Sequence, residues 1–256
     1  MAREKHSIRT PAAPRAADRA VLPKAVLILA ASGAAIFVVG LILGLAVVGR
    51  HGGGPIQHWD NRVQTWDLTH RAGLVGVSKV IAFVGDAPKL AVVAAVIAVV
   101  MLAVSRSIWA LVPLVAYLGG EGEVFLIREV VHRHRPPTAN YPAPHAIPGI
   151  HETSWSFPSG HSVACTAILF ALAGLTTYTV RAWWPWVVAL AVSLLVLESR
   201  LVLGVHWFSD VVFGFVLGVS WGVTVATVFR FLVWSDVQAW LRPGRVQPDA
   251  PPSVNT

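Results

Sequence analysis

From Ala25 to Gly49 the chain carries no charged side chain, a run longer than the roughly 20 residues an α-helix needs to cross the apolar core of a bilayer. Few folds can accommodate such a stretch, because only a structure that closes its own backbone hydrogen bonds survives in lipid. Comparable runs recur at about Pro88–Ser105, Ile108–Val131, His161–Val180 and Val187–Leu203, and a last one opens at His206 and ends near Trp234. A cleaved signal peptide would have a shorter apolar core, of about 7–15 residues, so the first run reads as a span. The composition agrees: 55% of residues are hydrophobic and 13% charged, about half the charged share of soluble domains. The mean hydropathy is +0.64. The expected fold class is an all-α integral membrane protein with six transmembrane helices.

The net charge of +7 belongs to membrane topology rather than to nucleic acid, since no basic face with interleaved aromatics lies outside the apolar runs. Arg3, Lys5, Arg9, Arg15, Arg19 and Lys24 precede the first span, and Arg242 and Arg245 follow the last. Positive charge of this kind stays on the cytoplasmic side. The expected organisation is a disordered basic tail over 1–23, a membrane domain over 24–236 and a polar tail over 237–256. Both termini are then cytoplasmic, Arg106 marks a short cytoplasmic turn, and the loops after the third and fifth spans lie outside. Cys165 is the only cysteine, which excludes an intramolecular disulfide and reads as a small buried residue.

Between the first two spans, a Gly-Gly-Gly-Pro breaker precedes Ile56, Trp59, Val63 and Trp66 at helical spacing. This predicts an interfacial amphipathic helix with its tryptophans at headgroup depth. His58, Asp60 and Asp67 on it are weaker candidates for substrate contact. Trp183, Trp184 and Trp186 read as an interfacial belt. Gly214, Gly218 and Gly222 mark a face for close packing against another helix. The third span carries Glu121, Glu123, Arg128 and Glu129, and charges at that depth face protein or a polar cavity. Glu121 or Glu123 reads first as a hydrogen-bonding group between helices, and Glu121, two turns before Arg128, reads otherwise as a partner for a pocket arginine. His132, His134, His145 and His151 lie among prolines without a cysteine or carboxylate cluster, so a solvated lip is expected there rather than a metal site. Arg133 in the same loop reads as a secondary phosphate contact or an interfacial cation.

Three blocks carry chemistry. In S-R-L-V-L-G-V-H-W-F-S-D, Asp210 follows His206 by four, one turn along a helix, where a carboxylate can fix the imidazole tautomer and leave the other nitrogen as nucleophile or base. In R-E-V-V-H-R-H-R-P, Arg128 and Arg135 are two helical turns apart and can project from one face. In F-P-S-G-H-S, Ser159 suits a helix N-cap and Gly160 lets backbone amides approach an anion. Arginines, a helix N-terminus and two histidines converging describe a phosphate pocket with chemistry attached.

Taken in their order along the chain, R-E-V-V-H-R-H-R-P, P-S-G-H and S-R-L-V-L-G-V-H-W-F-S-D, the blocks resemble the type 2 phosphatidic acid phosphatase superfamily, related to the vanadium haloperoxidases, whose fingerprint runs K-x6-R-P, P-S-G-H and S-R-x5-H-x3-D. The resemblance covers about Gly119 to Gly222, with one departure: Arg128 stands where the family usually has lysine. It implies that His206 attacks phosphorus, Asp210 orients and stabilises its ring, and His161 protonates the leaving group and then activates water. Arg128, Arg135, Ser159, Gly160 and Arg200 would hold the phosphate oxygens, with no metal and no cofactor. The implied partners are a lipid phosphate and the surrounding membrane lipids, not nucleic acid. The implied reaction is hydrolysis of a lipid phosphate or diphosphate at the outer face, a polyprenyl diphosphate first, phosphatidate or phosphatidylglycerophosphate next. A phosphotransferase using the same phosphohistidine and a non-enzymatic transporter or scaffold are the rival readings.

Overall fold

In a computed structural model of the protein, the described residues are 16–105, 108–142 and 154–240, and they form eight α-helices. These are α1 (Ala16–Val47), α2 (Gln57–His70), α3 (Val75–Val84), α4 (Ala87–Ser105), α5 (Val112–Val131), α6 (Gly160–Val180), α7 (Trp184–Val202) and α8 (Phe208–Trp240). Among the described residues, six segments are long and apolar enough to cross a membrane: Val26–Val47, Ala87–Val104, Trp109–Val131, Gly160–Thr177, Trp184–Val202 and Phe208–Arg230. The chain is a multi-pass, all-α membrane protein. The two terminal boundaries expected from composition, at residues 23 and 237, both fall inside helices, because α1 already begins at Ala16 and α8 continues to Trp240. Charge and proline marked where apolarity changes, not where the backbone stops being helical. The turn at Arg106, the lip histidines His145 and His151, and Arg242 and Arg245 lie outside the described residues.

α6 is the central helix. Two-thirds (67%) of its membrane window is buried in protein, against 6% for α1, which leaves most of its surface for lipid. α8 reaches α6 so closely because its glycines present no side chain. A Cβ at Gly214 would lie 2.8 Å from the Ser159 carbonyl oxygen, at Gly218 2.7 Å from that of Val163, and at Gly222 2.5 Å from that of Ala167. The four-residue glycine spacing thus seats α8 on one turn of α6 after another. On α8's flank, Trp221 occupies the space that Gly119 of α5 leaves and donates its indole N–H to the Ala116 carbonyl at 3.1 Å. Trp183 and Trp184 are exposed as a belt requires, but Trp186 packs edge-on against Phe170 of α6 at 5.9 Å. Of the three tryptophans, it is the one that turns inward.

α2 has the expected helical spacing, with Trp59 and Trp66 exposed. Its opposite face is polar and buried, presenting Asp60, Gln64 and Asp67 to the protein. α3 lies against α7 and joins α4 through Gly85 and Asp86. The C-terminal ends of α5 and α7 and the N-terminal ends of α6 and α8 meet at one end of the bundle, joined by contacts between Arg128 and Pro158, Ser159 and Asp210, and Val205 and Arg200.

Candidate active site

The α6 N-terminus is built as its sequence predicts. Ser159 is the N-cap, its Oγ accepting from the Ser162 amide at 3.4 Å and from the Ser162 hydroxyl at 3.0 Å. The Ser159 amide donates to the Asp210 carbonyl at 3.0 Å, which ties the start of α6 to the start of α8. Gly160 is buried beneath Arg128, whose Nη2 would lie 3.5 Å from a Cβ at that position, with Glu121 Oε1 3.7 Å away. His161, the next residue, packs its Cδ2 against Gly85 in the α3–α4 turn.

Arg128 and Arg135 do converge, but not by sharing a helix face. α5 ends at Val131 and His132 turns left-handed at φ 50°, so Arg135 approaches from a loop. The two meet at Ser154, whose Oγ accepts from Arg128 Nη1 and from Arg135 Nη2, both at 3.2 Å. Arg128 also grips the Pro158 carbonyl with Nε at 3.3 Å and Nη2 at 3.0 Å. A forked guanidinium can bridge residues 154 and 158 in this way, whereas a single ammonium cannot use three nitrogens.

His206 is fully buried and precedes α8 rather than lying in it. Its pairing with Asp210 survives because the chain folds tightly into the helix: Asp210, in the first turn, accepts from the Trp207 amide through Oδ2 at 2.9 Å, as the third residue of a capping box does. The same Oδ2 lies 3.4 Å from His206 Nδ1. On the other side of the ring, Arg135 Nη1 is 2.9 Å from Nε2. A guanidinium nitrogen only donates, so Nε2 must accept, and in the neutral ring the proton then sits on Nδ1, facing Asp210. The geometry selects the tautomer needed for Nε2 to act as a nucleophile. Arg200 is buried at the end of α7, and its carbonyl accepts from the Val205 amide at 3.3 Å, one residue before His206.

A family model described as the PAP2 superfamily matches residues 108–234, which hold all three sequence blocks. The chain belongs to the PAP2 superfamily. Among curated PAP2-type relatives, it is 36% identical over 69 residues to a Sulfolobus acidocaldarius protein named undecaprenyl-diphosphatase, covering 27% of this chain and 31% of that one. It is 34% identical over 98 residues to phosphatidylglycerophosphatase B of Bacillus subtilis, covering 36% and 44%. The matches thus span less than half the length of either relative. The fold is similar to the crystal structure of a transmembrane PAP2 type phosphatidylglycerolphosphate phosphatase from Bacillus subtilis, with a TM-score of 0.62 and 24% identity over 81% of this chain and 96% of that one.

Around the PAP2 blocks, the structure corrects the reading of Arg133. It is neither a phosphate contact nor an interfacial cation but 1% exposed, sealed between two buried carboxylates. Its Nη1 donates to Asp210 Oδ1 at 2.6 Å and Ser209 Oγ at 2.7 Å, its Nη2 to Asp60 Oδ2 at 2.5 Å and Gln57 Oε1 at 2.9 Å. Asp60 likewise faces protein instead of substrate, accepting from the Ser209 amide at 2.8 Å. Ser156 was also missed; its hydroxyl donates to Asp210 Oδ2. Of the loop histidines, His132 stacks on His51 and meets Trp155 at a tilt, and His134 is exposed beside Trp155. Glu123 is buried, and among the described residues neither of its carboxylate oxygens has a hydrogen-bond partner, so it does not join helices there as expected.

Proposed function

We propose that the protein is a membrane lipid phosphatase working through a phosphohistidine. The observation that carries this is the His206 ring, held with Nδ1 toward Asp210 and Nε2 toward the arginine cluster at the mouth of two helix N-termini. Arg135 exchanges Nε2 for a phosphate oxygen when substrate enters, joined by Arg128, Arg200, Ser159 and the Gly160 amide. Nε2 then forms a bond to phosphorus as the ester or anhydride oxygen leaves, taking a proton from His161. The phosphorylated ring is cationic, and Asp210 stabilises it. His161, now neutral, removes a proton from water as that water attacks phosphorus. Inorganic phosphate departs and both histidines return to their starting state. The guanidinium groups supply the positive charge this transfer requires.

The substrate class is a lipid phosphate, polyprenyl diphosphate ahead of phosphatidate and phosphatidylglycerophosphate. The names of the relatives, one a diphosphatase and one a phosphatidylglycerophosphatase, support that range. Basic residues before the first span support cytoplasmic termini and an outward site in the cell membrane. The test is phosphate release from a panel of these lipids by purified protein, repeated with EDTA, with His206→Ala and in sealed right-side-out vesicles. Release that resists EDTA, reaches outer-leaflet lipid and vanishes in the variant is expected. Full activity of folded His206→Ala contradicts the mechanism, and activity confined to inverted vesicles contradicts the orientation.

A further inference from the structure

Asp60, Arg133, Ser209 and Asp210 form a buried cluster beside His206, with half-buried Gln57 at its edge. Every N–H of the two Arg133 terminal nitrogens has an acceptor, and Arg133 lies over the Trp207 ring at 5.4 Å. Ser209 Oγ accepts from Arg133 and donates to Asp60 Oδ2 at 2.7 Å, which leaves no freedom in how the three groups sit. One guanidinium therefore faces two carboxylates, both fully buried. An arginine paired with Asp210 alone would neutralise the very charge that His206 needs. Shared with Asp60, it leaves the cluster with one net negative charge beside the imidazole.

We propose that Asp60 is a positioning residue for the reaction: by taking a share of Arg133, it preserves the negative charge that Asp210 presents to His206. The inference rests on the phosphohistidine reading above. It gives α2, a helix outside all three PAP2 blocks, a direct part in tuning the nucleophile. The other charged groups around the cluster are Arg135 on His206 Nε2, Arg128 and Glu121 of α5 at Gly160, His161 of α6, Arg200 of α7 and, further along α2, Asp67. They stay the same in the variants below, so a shift reports the altered charge.

The test is the pH dependence of kcat/KM on a short-chain lipid phosphate. Attack requires neutral His206, so its protonation sets the acid limb. Asp60→Asn removes one negative charge while keeping shape, and the acid limb should move down by roughly one pH unit, the scale of a charge several ångströms away in a partly screened interior. kcat should fall about tenfold or more, with KM little changed. Gln57→Glu adds a charge on the other acceptor of Arg133 Nη2 and should move the limb up, which keeps the test open if Asp60→Asn does not accumulate. Limbs that stay at the parent position in both folded variants overturn the proposal. His206→Ala, assayed alongside, separates the two claims: if it is inactive while the limbs do not move, only the role of Asp60 fails, and if it is active the phosphohistidine reading itself fails.

Discussion

Asp67 lies two helical turns beyond Asp60 on the buried face of α2, 3% exposed and, among the described residues, with no hydrogen-bond donor to Oδ2. Burial first, then the negative charge of Glu198 on α7, push its pKa up to about 6, with His70 opposing them. A carboxyl whose pKa is raised by folding keeps its proton longer in the folded state, so stability falls as pH rises from about 4 to about 6 and the full penalty applies above that. Asp67→Asn is therefore expected to unfold at higher temperature than the parent at pH 7.5, by an equivalent of about 1–2 kcal/mol, and the gap should close at pH 4. Thermal unfolding in detergent at the two pH values checks this, and a gap independent of pH would refute it. Asp60 and Asp67 also mark the limit of sequence reading at this scale. His206 and Asp210 are four apart, so local geometry brings them together. Asp60 and Arg133 are 73 apart, and they become partners only where the loop after α5 lies between α2 and the start of α8.

At the level of elements, the α6–α8 contact carries the site, because the Ser159–Asp210 hydrogen bond sits at its end. Gly218→Leu would drive a side chain into the Val163 carbonyl and Thr166, where even a Cβ lies 2.7 Å and 2.8 Å away. Overpacking of this kind costs about 1–3 kcal/mol or more. Folded protein should unfold at clearly lower temperature and lose most activity. Gly122→Ala on α5 meets nothing within 4 Å and should be neutral or slightly stabilising, since alanine favours helix by up to about 1 kcal/mol. Equal effects of the two substitutions in a thermal unfolding assay would contradict this packing account. The glycine spacing was legible as a contact face, and the structure supplies its partner, α6. The N-cap at Ser159 was legible too, because capping is local chemistry. The shared helix face for Arg128 and Arg135 was not, since the left-handed turn at His132 interrupts the helix between them.

Across the whole molecule, six spans were readable because bilayer thickness imposes a length on each apolar run, and all six appear. Helix ends were less readable: α1 and α8 outrun their apolar segments, and α2 buries the polar face that an interfacial helix would be expected to show to water. That reversal brings the end of the bundle together, since α2 covers α7 and α8 with carboxylates while its tryptophans face outward. The central claim is that phosphorus is transferred to His206. The most direct measurement is a rapid quench of the protein with a lipid labelled in its phosphate, followed by mapping of the labelled residue. The account predicts a label on His206 that is stable to alkali and lost in acid, and absent from His206→Ala. Turnover of the labelled lipid with no label on protein, or with label on a residue other than His206, would contradict it.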